Sequence, residues 1–96
     1  MKPALFTPEA EADVEEAFEW YEAQRPGLGG AFRRALDIAL AAIEDHPEAY
    51  AVIHRSTRRV LLPSFPYGLY YRVLEQDIVV VACMHGKRHP RTWRTR

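Results

Sequence analysis

Residues 78–84, IVVVACM, form an unbroken apolar run between Glu75-Gln76-Asp77 and His85-Gly86. The run is far too short for a membrane helix, which needs about 20 apolar residues. An apolar strand with no polar alternation belongs where both faces are covered, or at the centre of a sheet. The rest of the chain is read around that strand.

Two more strands precede it. Val60, Leu61 and Leu62 make one, with Pro63 at its end, and Tyr67 to Leu74 make the next, with 75–77 as the connecting turn. At the other end of the chain, residues 4–6 carry Leu5-Phe6 and fit a short first strand. Between these lie two stretches of helical period. Thr7 caps the first, Pro8 sits where no backbone donor is needed, and Ala10, Val14, Ala17, Phe18 and Tyr21 fall on one face. Pro26-Gly27 stops it. The second runs from about Gly29 to Asp45, with Leu28, Phe32, Ala35, Leu36, Ala39 and Ile43 as its buried stripe and His46-Pro47 as its end. The short loop predicts an antiparallel helical hairpin. The expected fold is α+β, ordered β-α-α-β-β-β, with the hairpin packed on one face of a small, mostly antiparallel sheet. A single domain spans 1–96, with an irregular basic tail from Pro90.

With 96 residues the chain suits one core without staples. Cys83 is its only cysteine, so no internal disulfide forms, and a reducing cytoplasm is the expected location. MKPALFTPEAE turns acidic before any apolar run develops, so no leader is expected. The formal net charge of zero conceals a division. Residues 1–50 hold eleven acids and four Lys/Arg, a net of −7, and residues 51–96 hold two acids and nine Lys/Arg, a net of +7. Such asymmetry bears on partners rather than on fold.

Catalytic chemistry finds little support in these residues. Cys83 lies within the apolar strand, where a thiol acts as a small hydrophobe. His85 and His89 are four apart near Cys83, but Gly86 and Pro90 break the helix that this spacing would need, so no metal is expected. There is no P-loop and no serine in a glycine-flanked turn. Cations are the remaining candidates: Arg58, Arg59, Arg72, Lys87, Arg88, Arg91, Arg94 and Arg96. Alternation puts Arg59 and Leu61 on one strand face, and Arg58, Val60 and Leu62 on the other. In the next strand Tyr70 and Arg72 share a face. Arginine beside tyrosine or tryptophan suits RNA, and it suits an acidic protein segment equally well.

FPYGLYYRV, a turn, IVVVACMHGKR and HPRTW together resemble the RelE/ParE superfamily of type II toxin–antitoxin toxins, over nearly the whole chain. That resemblance implies a compact toxin neutralised by a small cognate antitoxin in a hetero-oligomer, with no cofactor and no membrane partner. RelE-like members cut messenger RNA on the ribosome with a basic and aromatic constellation; ParE-like members lack it and inhibit DNA gyrase. Arg59 and Arg88 match basic positions of the nuclease. Leu61 stands where a strand lysine is expected, Gly68 where an arginine is, and Trp93 or Arg94 where a tyrosine is. Glycine and indole supply neither proton transfer nor charge on a phosphate. The resemblance therefore favours the ParE-like branch and a toxin that binds its target. Arg59, Arg72, His85, Lys87, Arg88, Arg91 and Trp93 are expected to form one docking patch for target and antitoxin. If the chain is instead a nuclease, His85, Arg88 and Arg59 would be its core. A non-toxic interaction module on the same fold is the third reading.

Overall fold

The computed structural model describes residues 3–75, 77–88 and 90–96. Strand β1 (Ala4–Phe6) leads into helix α1 (Pro8–Gln24), where the Thr7 hydroxyl accepts the Ala10 N–H at 3.1 Å. Helix α2 (Leu28–Asp45) follows a tight turn. Gly27 takes φ 91° there, a region that a Cβ disfavours. Gly27 offers no side-chain cap, and the Glu22 carboxylate does that work by accepting the N–H groups of Gly27 and Gly29 at 3.0 Å each. A Cβ on Gly29 would stand 2.8 Å from the Phe18 ring, so the close approach of the two helices depends on glycine at this point.

Four strands follow: β2 (Val52–His54), β3 (Thr57–Leu61), β4 (Tyr67–Leu74) and β5 (Asp77–His85). The sheet order is β1-β5-β4-β3-β2, with β1 parallel to β5 and the other pairs antiparallel. The apolar strand therefore lies inside the sheet over Ile78–Val80, between β1 and β4, as its composition predicts. The expected α+β fold is the observed one, with β2 as an additional short strand. Residues 55–56 turn β2 into β3, and Arg55 sits at φ 52°.

Helices α1 and α2 cover one face of the sheet. Phe32, Ile43, Leu69, Tyr71, Val80 and Cys83 are fully buried between the layers. Among the described residues, no helix is long and apolar enough to cross a membrane. Burial, and then the Asp13 carboxylate, pushes the Cys83 thiol up to about 12. The folded protein is therefore expected to resist a thiol–disulfide reagent at pH 8 and to react fully in urea, since the thiolate is the nucleophile. Rapid labelling of the native protein would mean that β5 opens readily.

The opposite face carries a second, smaller cluster: Tyr70, Val81, Ala82, Met84 and Trp93, with Ile53 and Val79 against it. Trp93 belongs to a four-residue helix, α3 (Arg91–Arg94), and is only 4% exposed. This corrects the expectation of an irregular tail from Pro90. Its indole stacks on the Tyr70 ring, with centroids 4.7 Å apart, which holds the segment against the sheet. Arg96 continues beyond it to the edge of β5. There its guanidinium meets Asp13 of α1 at 2.6 and 3.2 Å and donates to the Val81 carbonyl at 3.1 Å. Asp13 also accepts the Cys83 N–H at 3.0 Å.

One irregularity in β5 decides which side chains meet. Tyr70 pairs with Ala82 and Tyr71 with Val80, so Val81 is an extra residue. A bulge of this kind inverts the faces of everything beyond it. Val79, Val81, Ala82 and Met84 pack on the open face, while Cys83 and His85 lie on the helix side.

Candidate functional site on the open face of the sheet

The bulge divides the residues that the sequence assigns to one patch. Arg59 and Arg72 lie on the open face, as alternation predicts. Arg59 is the cross-strand partner of Tyr70, and its aliphatic stem runs over Gly68, where an added Cβ would meet it at 3.1 Å. Arg72 donates from Nε to the buried Thr57 hydroxyl at 3.0 Å and from Nη1 to the Arg96 carbonyl at 3.4 Å. Trp93 reaches from α3 onto Tyr70 of β4, next to Arg59 across the strands. These three residues do come together.

His85 and Arg88 do not join them, and the expectation of a single patch is corrected here. His85 ends β5 on the helix side, with its ring edge-on to Tyr67 at 5.5 Å and its Nδ1 accepting the Lys87 N–H at 3.0 Å. Arg88 pairs with Glu16 of α1 at 3.2 Å. A cavity of about 570 Å³ lies between them and α1, lined by Trp20, Tyr21, Pro66 and Tyr67. Unbroken alternation from Val79 would have put His85 on the same face as Arg72; the extra residue turns it to the other. The set His85, Arg88 and Arg59 is therefore split across the sheet. Lys87 lies exposed in the turn after β5, and Arg91 is exposed at the start of α3. His89 lies outside the described residues.

Three residues absent from the expected patch complete the open face. His54, at the end of β2, faces Trp93 with ring centroids 5.9 Å apart. Arg94 lays its guanidinium 5.6 Å from the centre of the Trp93 ring. Arg55 occupies the turn beside His54. Desolvation, then the charges of Arg94, Arg55 and Arg72, push the His54 imidazole below its usual range, as a cluster of like charges must. Among the described residues, no Asp or Glu side chain comes within 4 Å of Arg55, Arg59, Arg72 or Arg94. Arg58, by contrast, points to the helix side and bonds the Glu48 and Tyr50 carbonyls, so its task is to fix the loop after α2. A Tyr70–Trp93 stack ringed by four arginines and a histidine is thus the principal site of this face. Arg94 was visible among the cations of the sequence. His54 and Arg55 needed the short β2–β3 hairpin to be recognised first.

No three of His, Cys, Asp and Glu converge as a metal set among the described residues. What the open face can do is hold anions, through planar donors that bond oxyanions two at a time.

A five-stranded sheet backed by a helical hairpin is also the fold of a chain of the chromosomal ParDE TA system from P. aeruginosa. The two superpose with a TM-score of 0.77, at 16% identity, over 88% of this chain and 96% of that one. Residues 4–90 match the family model described as the ParE toxin of the type II toxin-antitoxin system, parDE, and the chain belongs to that family. It is 28% identical over 81 residues to Toxin ParE2 from two strains of Mycobacterium tuberculosis, across 83% of this chain and 77% of theirs.

Proposed function

We propose that this ParE-family toxin inhibits growth by binding DNA gyrase through the open face of its sheet, in the cytoplasm, and that a cognate antitoxin neutralises it. Arg59, Arg72 and Trp93, with His54, Arg55 and Arg94, form the working surface. Arg91 extends it, and Lys87 and Arg88 lie beyond its border. The observation that carries this reading is the bulge at Val81. It turns His85 to the helix side, the opposite face from Arg59 and Arg72, so the imidazole expected to move protons in a nuclease does not point at a phosphate held by those arginines. Binding without cleavage is what remains for that set.

The antitoxin has two places to engage. A groove of about 310 Å³ between α1 and α2, floored by Phe6, Val14, Leu36 and Leu40, accepts the apolar side of an amphipathic helix. An acidic extended segment then covers the arginines of the open face.

One observation favours a second reading. His54 stands among the arginines with its proton affinity lowered, which suits a general base for attack by a 2′-hydroxyl. That would make the chain a metal-independent mRNA endonuclease built around His54.

Purified protein is to be given gyrase with relaxed DNA, and separately translating ribosomes with labelled message. Inhibition of supercoiling is expected, and Arg59→Ala with Arg72→Ala should raise the half-inhibitory concentration roughly tenfold or more. Codon-positioned cuts that disappear in His54→Ala would overturn the gyrase reading in favour of the nuclease. An absence of both activities, with normal growth on expression, would leave the non-toxic module.

A further inference from the structure

We propose that the open-face arginines hold a phosphodiester backbone, so that the toxin grips nucleic acid directly and not only protein. The inference rests on the reading of this face as the working surface, and it adds the chemical class of its ligand. Arg55, Arg59, Arg72 and Arg94 surround the Tyr70–Trp93 stack; none is paired with an Asp or Glu side chain among the described residues, and Arg72 donates only to Thr57 and to the Arg96 main-chain oxygen. On the helix side Arg33 pairs with Glu15 and Arg88 with Glu16, each at 3.2 Å, and residues 1–50, which form both long helices, carry a net of −7. The protein therefore concentrates its excess positive charge away from the helical layer, although its total charge is zero.

The kind of anion follows from how the charges are fixed. Arg59 is laid along the strand over Gly68, Arg72 is fixed through Thr57, and Arg94 rests on Trp93. Arg55, Arg72 and Arg94 gather around His54, while Arg59 stands apart over Gly68. A single small anion would meet the first group alone, whereas a chain of phosphates can meet all four. Trp93 and Tyr70 are buried by their own stack, so they do not serve as platforms for unstacked bases. Contact is thus to the backbone, with affinity governed by charge and little dependence on sequence. Arg55 adds an independent point. It holds a left-handed conformation that glycine would adopt without penalty, so its side chain is kept at a conformational cost.

The test uses fluorescence anisotropy of the whole protein with two labelled probes, a short DNA duplex and a single-stranded RNA of the same length. Binding is expected, with four phosphate contacts giving a log–log salt slope of about −3.6 on the duplex and about −2.8 on the single strand. That is a loss of about 150-fold and about 50-fold, respectively, between 50 and 200 mM salt. Each of Arg59→Ala, Arg72→Ala and Arg94→Ala should make the slope shallower by about 1. Arg55→Gly should do the same with an unchanged or higher Tm, so that lost binding cannot be ascribed to lost folding. Arg33→Ala, on the helix side, should bind as the parent does.

Preference for the duplex assigns the backbone to DNA. Preference for RNA keeps the site but removes the gyrase reading, so the two claims fail separately. Absence of binding to both probes at 50 mM salt overturns the proposal. So does a salt slope that the four open-face variants leave unchanged, or one that Arg33→Ala alters equally. Gyrase inhibition that persists without oligonucleotide binding would leave the toxin reading intact and assign the arginines to a protein surface.

Discussion

Asp13→Ala should lower the unfolding free energy by about 3 kcal/mol in urea denaturation, an unusually large effect for a helix residue at the rim of a small domain. The carboxylate satisfies two groups at once, the Arg96 guanidinium and the Cys83 N–H. The side chains of Arg96 and Asp13 are 21% and 15% exposed. Removing Asp13 leaves a half-hidden cation and a buried amide without an acceptor. Because both side chains keep some water, the loss falls at the low end of that for a fully buried pair, which is roughly 3–5 kcal/mol. Asp13→Asn retains an acceptor for Cys83 and should cost about half as much. Arg96→Ala should cost about 1–2 kcal/mol, since Asp13 keeps its bond to Cys83. A double-mutant cycle should show coupling of at least about 1 kcal/mol. Single and double variants that simply add, with a combined loss below about 0.5 kcal/mol, would show that residues 90–96 are not anchored at this edge.

Trp93→Ala should cost about 3 kcal/mol and abolish target binding together. The stability loss follows from an emptied aromatic site against Tyr70, where large-to-small changes at buried rings cost roughly 3–5 kcal/mol. The binding loss follows from geometry. Arg94 rests on the indole, and Arg72 reaches the Arg96 carbonyl just beyond α3, so both guanidiniums lose their supports. Trp93→Phe should recover most of the stability and part of the binding, because a smaller ring still stacks. Gyrase inhibition, the near-ultraviolet dichroism of the Tyr70–Trp93 pair and urea unfolding, read on the same samples, decide the matter. A Trp93→Ala protein of parental stability would refute the packing argument. One that is destabilised but fully inhibitory would show that α3 supports the sheet and takes no part in the site.

Much of this was legible in the residues. Thr7-Pro8 and Pro26-Gly27 mark the ends of α1 because caps and breakers act locally. The alternation of Arg58 and Arg59 put them on opposite faces of the strand, as observed. The position of His85 was not legible. Alternation is a count, one extra residue reverses it, and nothing in IVVVACMH announces that Val81 is the extra one. The tail was misread for a related reason. HPRTWRTR has no helical period of its own, and its short turn exists only because the sheet offers Tyr70 to Trp93. His54 and Arg55 escaped notice because a three-residue strand with a two-residue turn carries too little pattern to stand out before β3 is placed.

The length of β1 has a last consequence. It covers β5 only from Ile78 to Val80, and among the described residues no strand flanks Val81–His85 on that side. An apolar strand with a bare margin invites a second molecule to add itself there, the usual route to insoluble aggregates. Two side chains from opposite ends of the chain close that margin instead, Asp13 on the Cys83 amide and Arg96 on the Val81 carbonyl. The pair therefore guards solubility as well as shape, and conditions that part it expose a sticky border while the helices still stand.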